Sequence, residues 1–211
     1  MNKSGEKIKF DALCDVLRER GASARSVTAV AGPPGAGKST LADRLAEALN
    51  NDASGRAAVF PMDGYHYDDM ILNARGWRPR KGAPHTFDVE GFRHMLDRLR
   101  HNIEDEIAVP VFDRSIETAR NSARIIDKTT RHLIVEGNYL LLDQAPWTGL
   151  ADYFDTTVFI EVDPGVLRGR LEDRWKALDR DARLAKLEEN DLPNARLVQA
   201  ESRPAEFRFS D

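Results

Sequence analysis

The feature that most constrains the fold of this chain is a glycine-rich run, GPPGAGKST, at residues 32–40. The apolar segment SVTAVA at 26–31 precedes it and leucines at helical spacing follow it, so the run joins a buried strand to an amphipathic helix. The glycines let consecutive backbone N–H groups turn towards one anion, and the helix N-terminus adds positive potential there. Both spacing and context therefore match the GxxxxGK[ST] phosphate-binding loop. The residues that we expect to hold a nucleotide are Gly32, Pro33, Pro34, Gly35, Ala36, Gly37, Lys38, Ser39 and Thr40.

Two side chains of this loop have separate roles in our interpretation. Lys38 is expected to reach the β- and γ-phosphate oxygens and to act in catalysis, and the Ser39 hydroxyl is expected to bind Mg²⁺. The loop alone does not define an activity, because switches, motors, transport ATPases and small-molecule kinases all use it. A guanine-nucleotide switch is disfavoured, since the chain has no NKxD motif and its DVEG at 88–91 follows His-Thr-Phe rather than a strand.

Strands and helices alternate along the chain. We predict strands at 26–31, 57–62, 107–112, 123–127, 132–136 and 157–162, and one or two short strands in the tail formed by LVQ at 197–199 and EFRF at 206–209. Helices are predicted at 8–20, after the loop, from Asp88, from Pro164 to about Leu178, and over 182–190. This order is typical of an α/β fold with a mainly parallel sheet that is covered on both faces. We expect one domain over residues 1–211.

Composition narrows the class of protein. The net charge of −4 gives no global basic field for nucleic acid, and the single Cys14 excludes an internal disulfide framework. No apolar run approaches the roughly 18 residues of a membrane span, and the N-terminus lacks the apolar core of a signal peptide. We expect a soluble, cytoplasmic protein with no nucleic-acid partner and no membrane insertion.

Two carboxylates follow apolar strands, where the ligands of a parallel sheet gather. Asp63 comes after AAVFPM, and Glu136 ends HLIVE. An acid at the end of an apolar strand is the Walker B arrangement, which holds Mg²⁺, and a second acid could deprotonate an acceptor hydroxyl. Between Asp63 and Phe87 the chain is rich in Gly, Pro, Arg, His and aromatic residues without clear periodicity, which predicts an irregular functional segment.

Further blocks of the sequence resemble one kinase family. They are MDGYHYD (62–68), RKGAPHTFD (80–88), VPVFDR (109–114), IVEGNYLLL (134–142), RGRLEDRW (168–175) and NDLPNARLV (190–198). With the glycine-rich loop, they resemble the uridine kinase, phosphoribulokinase and pantothenate kinase family, above all short bacterial members named putative fructose-transport-system kinases. The resemblance covers about residues 25–210. It implies a P-loop three-layer sandwich with a substrate-covering insertion at about 63–88 and a helical lid at about 164–190.

The resemblance also implies roles for particular residues. Asp63 matches the catalytic base, Glu136 matches a position at the magnesium or acceptor site, and Arg170 and Arg174 match catalytic arginines of the lid. The two arginines are four residues apart on a predicted helix, so both can face the same phosphates. The residues that we expect to bind the acceptor are Asp63, His66, Lys81, Asp113, Arg114, Glu136 and Tyr139.

The predicted activity is an ATP- and Mg²⁺-dependent transfer of phosphate to a hydroxyl group of a small polar metabolite. A sugar is the first expectation, and a nucleoside or a pantothenate-like compound is the alternative. Tyr65, Tyr67 and Trp77 keep the nucleoside open, because their rings could stack on a base. A non-catalytic nucleotide-binding regulator of a transport system is the alternative of another class. The family resemblance is also compatible with a homodimer.

Overall fold

A computed structural model describes residues 5–51 and 56–210. Its main sheet has six strands over the described residues: β1 (Glu6–Lys7), β2 (Ser26–Ala31), β3 (Ala57–Pro61), β6 (His132–Gly137), β7 (Thr156–Ile160) and β8 (Phe207–Phe209). They are parallel and lie in the spatial order β1-β8-β7-β2-β6-β3. Two further strands, β4 and β5, follow β3 in the chain and lie outside this sheet. The mainly parallel sheet expected from the sequence is therefore confirmed.

Helices cover both faces of this sheet. Helices α1 (Phe10–Arg20) and α2 (Lys38–Asn50) pack on one face, and α4 (Val89–His101) and α7 (Leu192–Glu201) pack on the other. Helix α3 (Asp69–Ala74) lies in the insertion, and α5 (Pro164–Arg174) and α6 (Arg180–Leu184) lie in the lid segment. Neighbouring residues of β2 face opposite sides: Ala29 packs in the cluster that contains Phe92 of α4, and Val30 packs in the cluster that contains Leu45 of α2. The three layers follow from this alternation, because every second residue of a buried strand needs its own apolar cover.

Two predicted strands form a separate antiparallel ribbon. β4 (Glu106–Asp113) pairs with β5 (Thr118–Asp127), and neither joins the main sheet. The sequence predicts the second of these strands only at 123–127, but β5 begins at Thr118, because backbone pairing with β4 extends through its polar and largely exposed first half. The turn of this ribbon, at 114–117, lies beside the cleft described below.

The C-terminal part differs most from the sequence prediction. Leu197 and Val198, expected in a strand, lie in α7, and the tail has one strand, β8. Helix α5 ends at Arg174 rather than near Leu178, and the predicted helix at 182–190 is α6 followed by a π-helix, Ala185–Asp191, that continues into α7. In such short segments the apolar spacing fits a strand and a helix equally well. In the structure, Val198 projects from α7 and is buried in the core cluster beside the sheet.

Aspartate side chains cap the N-termini of two helices. The Asp88 carboxylate accepts the backbone N–H of Gly91 at 3.0 Å before α4, and that of Asp163 accepts the N–H of Gly165 at 2.8 Å before α5.

Among the described residues, no helix is both long and apolar enough to cross a membrane. The predicted single domain spans residues 1–211. Residues 1–4, 52–55 and 211 of that range lie outside the described part of the chain.

Candidate active site

A cleft of about 710 Å³ opens where β2, β3, β6 and β7 end at the same edge of the sheet. The glycine-rich loop forms its floor between β2 and α2. Gly35 and Gly37 have φ values of 79° and 95°, which side-chain-bearing residues rarely adopt, and a Cβ on Gly35 would lie 3.1 Å from Leu171 of α5. Of the nine loop residues predicted to bind a nucleotide, Pro34 to Thr40 line the cleft, whereas Gly32 and Pro33 do not.

Lys38 begins α2 and is 8% exposed. Its ammonium group donates a hydrogen bond to the Pro33 carbonyl oxygen at 3.0 Å, across the concave side of the loop. Burial lowers the pKa of Lys38 to about 8, and the nearby carboxylates of Glu136 and Asp63 oppose that shift. The lysine is thus a desolvated cation at the floor of the cleft, as a phosphate-binding role requires.

The two predicted carboxylates lie together beside this lysine. Asp63 sits in a short 3-10 helix, Met62–Tyr65, directly after β3, and Pro61 of that strand pairs in register with Glu136 of β6. The Ser39 hydroxyl donates to Glu136 Oε1 at 3.1 Å. Adjacent parallel strands therefore bring both acids to the loop, as the sequence predicted.

The environments of the two acids push their pKa values apart. Burial, with the negative charge of Asp63 second, raises the pKa of Glu136 to about 7. Burial also tends to raise the pKa of Asp63, but the charge of His66 when it is protonated and the charges of Arg114 and Lys38 outweigh this effect and hold that pKa below its usual value. Asp63 is accordingly ionised at neutral pH, and Glu136 is a buried acid short of positive charge.

The lid segment, residues 164–190, covers the loop through α5. The Arg170 guanidinium donates to the Ala36 carbonyl oxygen at 3.3 Å and lies 3.9 Å from the position of a Cβ on Gly37. Arg174, one helical turn later, also lines the cleft. Both predicted lid arginines therefore face the phosphate-binding loop.

Arg168 and Trp175, two other side chains of the lid, bond to groups outside the phosphate-binding loop. Arg168 pairs with Glu172 at 3.3 Å and with Glu188 at 2.6 Å, away from the cleft. Trp175 lines the cleft and donates its indole N–H to Asp191 Oδ2 at 2.7 Å. Burial raises the pKa of Asp191, and the Trp175 hydrogen bond opposes that shift.

The cleft also brings together His66, Lys81 and Arg114 of the predicted acceptor-binding set, beside Asp63 and Glu136. The His66 Nδ1 atom lies 2.8 Å from the Asp63 carbonyl oxygen. The buried Lys81 ammonium donates to Asp69 at 2.6 Å and to the Glu117 carbonyl oxygen at 2.5 Å, so its charge is already partnered.

Two members of that set lie elsewhere. Tyr139 is fully buried in the apolar core and donates its hydroxyl to the Gly82 carbonyl oxygen at 2.6 Å. The Asp113 carboxylate accepts the backbone N–H of Ser115 at 3.0 Å and pairs with Arg120 at 3.4 Å, outside the cleft. Neither residue lines the cleft: Tyr139 is part of the core, and the Asp113 carboxylate is engaged in the ribbon turn.

The three aromatic residues whose rings could stack on the base of a nucleoside do not line the cleft either. Tyr65 packs edge-on against Phe60 and Phe92 in the core. The guanidinium carbon of Arg75 lies 5.2 Å from the centroid of the Tyr67 ring and 4.8 Å from that of the Trp77 ring, within the insertion. These contacts leave none of the three rings facing the cleft.

Sequence reasoning missed a buried polar network that joins the lid segment to the insertion. The Asn190 side chain donates to the Lys81 carbonyl oxygen at 2.8 Å, and its Oδ1 accepts from Arg80 at 3.3 Å and from Asn194 at 3.1 Å. Arg80 also donates to Asn194 Oδ1 at 3.1 Å. The available signal was a pair of asparagines, four residues apart, within the block NDLPNARLV; their burial could not be read from that spacing.

The chain is similar in sequence to several known proteins. Residues 29–192 match the family described as "AAA domain". "Uncharacterized protein YggC" of Escherichia coli is 37% identical over 86% of this chain and 76% of its own length. "Putative uridine kinase C227.14" of Schizosaccharomyces pombe is 32% identical over 83% of this chain and 78% of its own.

The chain is also similar in fold and sequence to a solved structure. That of "putative fructose transport system kinase" from Silicibacter sp. TM1040 superposes with a TM-score of 0.88 and 40% identity, covering 95% of this chain and 98% of that one. The chain therefore belongs to the AAA domain family of P-loop proteins. The chain is a kinase, and it is similar to a putative uridine kinase and to pantothenate kinases.

Proposed function

We propose that this kinase transfers the γ-phosphate of ATP to a hydroxyl group of a small polar metabolite, with Mg²⁺ as cofactor. The observation that carries the proposal is the meeting of Lys38, Ser39, Glu136 and Asp63 in one cleft under the arginines of α5. A phosphate-binding loop, a pair of carboxylates and a cationic lid are the parts that phosphoryl transfer to an alcohol requires. We place the reaction in the cytoplasm, where ATP is available, and propose no nucleic-acid partner.

The donor end of the cleft fits triphosphate and Mg²⁺. Ser39 Oγ and Glu136 Oε1 are two oxygen donors 3.1 Å apart, and a divalent cation would supply the positive charge that the buried Glu136 lacks. We assign these two residues to the metal, directly or through water. When bound, Mg²⁺ neutralises charge on the β- and γ-phosphate oxygens. Lys38 adds a fixed positive charge at the same place.

Asp63 is the residue that we assign as catalytic base. It is an ionised carboxylate at the acceptor side of Lys38, and burial restricts its orientation. The acceptor oxygen forms a bond to the γ-phosphorus, the bond from that phosphorus to the β–γ bridging oxygen breaks, and ADP leaves. The hydroxyl proton passes to Asp63 and then to solvent. Arg170 and Arg174 supply positive charge from the lid to the phosphoryl group in transfer.

The acceptor end favours a small polar compound over a nucleoside. Tyr65, Tyr67 and Trp77 engage other residues, and the cleft-lining ring of Phe112 contacts His66 at 4.7 Å between centroids. A sugar or a sugar-derived compound therefore fits better than a flat base, which needs an accessible aromatic face. The name of the Silicibacter protein, which mentions fructose transport, agrees with this preference. A pantothenate-like acceptor has the same polar character and remains the alternative.

Acceptor-dependent release of ADP tests the proposal. The purified chain is incubated with Mg²⁺ and ATP against a panel of sugars, sugar derivatives, nucleosides and pantothenate, with ATP binding measured in parallel by calorimetry. A kinase releases ADP in proportion to phosphorylated product for one class of acceptor. ATP binding without acceptor-dependent ADP release for any member would instead support a nucleotide-binding regulator.

A further inference from the structure

The proposed base is held in an ion pair by a residue of the ribbon turn. Arg114 follows the last residue of β4, and its guanidinium donates to Asp63 Oδ2 at 2.7 Å. One of the two carboxylate oxygens that could accept the proton of a substrate is thus occupied by a cation. The Arg114 side chain is 63% exposed, whereas that of Asp63 is 20% exposed, so the arginine is the partner that can move.

Of the two cations that we expected to bind the acceptor, Arg114 is the one with N–H donors to spare. The other one is Lys81, whose ammonium group donates hydrogen bonds to Asp69 and to the Glu117 carbonyl oxygen. Arg114 has five N–H donors and uses one in its bond to Asp63, while its guanidinium carbon lies 5.8 Å from the centroid of Phe112. The Arg114 side chain is largely exposed, so a second anion can reach its remaining N–H donors.

We propose that the acceptor carries an anionic group, a carboxylate or a phosphate ester, beside the hydroxyl that is phosphorylated, and that Arg114 binds this group in place of Asp63. The inference rests on the proposed function and specifies its substrate class as a hydroxy acid or a phosphorylated polyol. A carboxylate or a phosphate can accept two parallel N–H bonds from a guanidinium, which makes either a better partner than the single Asp63 oxygen used here.

The exchange makes the base available when a suitable acceptor arrives. As the anionic group takes Arg114, Oδ2 of Asp63 becomes free to accept the hydroxyl proton. A neutral sugar or nucleoside offers no counter-ion, so Arg114 stays with Asp63 or must move to water without a new partner. Selectivity for anionic acceptors follows from the same contact that occupies the base in the free protein.

Matched sets of acceptors test the proposal directly. Glycerol, glycerate and glycerol 3-phosphate form one set, glucose, gluconate and glucose 6-phosphate a second, and panthenol and pantothenate a third. Each set keeps the hydroxyl-bearing skeleton and changes the anionic group, so carboxylate and phosphate are distinguished within a set. Steady-state kinetics are measured for the wild type, Arg114→Gln, Arg114→Lys and Arg120→Gln.

Arg120→Gln is the matched control, because Arg120 lies on the same ribbon, is also 63% exposed and pairs with an aspartate outside the cleft. We expect turnover of anionic acceptors with kcat/KM at least about 10-fold above that of the neutral member. Arg114→Gln should raise KM for the anionic acceptor about 10- to 100-fold, with partial rescue by Arg114→Lys and no change in Arg120→Gln.

Two results would overturn the inference while the kinase assignment stands. One is equal or better turnover of the neutral member in the set that the enzyme uses. The other is an unchanged KM for an anionic acceptor in Arg114→Gln. Absence of acceptor-dependent turnover in every set, with ATP bound, would contradict the proposed function and this inference together.

Discussion

Replacement of Glu136 by glutamine provides a quantitative test of the buried acid. In the folded protein without nucleotide, burial and the charge of Asp63 raise the pKa of Glu136 from 4.5 to about 7. The folded state therefore keeps this proton between those values while the unfolded state releases it, so the stability contribution is complete below the lower pKa and is lost as pH rises through the upper one. The shift corresponds to a loss of up to about 3 kcal/mol.

The assay is chemical unfolding of both proteins between about pH 5 and about pH 7.5 without Mg²⁺ or nucleotide. Glutamine resembles the protonated acid, so the unfolding free energy of wild type minus that of Glu136→Gln should fall by about 2 to 3 kcal/mol over this range. Other titrating groups largely cancel in the difference. A difference that does not change with pH would refute the reasoning, because it would mean that Glu136 is ionised throughout in the folded protein.

Two further predictions concern the donor end. Lys38→Ala should lower turnover by about 10²- to 10³-fold, the usual effect of losing one preorganised charge, with a melting temperature within a few degrees of wild type; unchanged phosphorylation would remove Lys38 from the site. The double replacement of Arg170 and Arg174 by glutamine should lower turnover by at least about 10²-fold, whereas Arg168→Gln, whose ion pairs lie outside the cleft, should not. Equal kinetics in those two variants, measured beside thermal unfolding, would show that the lid arginines are merely structural.

The sequence predicted the parts of the site that depend on local patterns. Gly35 and Gly37 are required by a backbone conformation within the loop, and Asp63 and Glu136 follow apolar strands whose carboxyl ends meet because the strands are parallel. Periodicity and turn chemistry carry this information over a few residues. These local patterns therefore suffice to predict a phosphate-binding α/β protein.

Pairings between distant residues could not be predicted in this way. The network of Arg80, Asn190 and Asn194 joins segments about a hundred residues apart, and each asparagine alone suits an exposed helix equally well. Tyr139 stands in a block typical of the acceptor site, yet packing against Phe87 and Trp147 takes its ring into the core. Burial depends on what the rest of the fold places opposite a side chain, and neighbouring residues in the sequence do not contain that information.

The most direct test of the account is a comparison of ATP binding and phosphate transfer in Asp63→Asn. Asparagine keeps the shape of the side chain but removes its charge and basicity. With the best acceptor found, we expect transfer to fall by about 10²- to 10⁴-fold, while the dissociation constant for ATP, measured by calorimetry with Mg²⁺, stays within about threefold of wild type. Asp113→Asn, which removes an aspartate outside the cleft, is the control and should retain both properties. Retained transfer in Asp63→Asn would contradict the assignment of Asp63 as the base, and loss of ATP binding would make it a metal ligand instead.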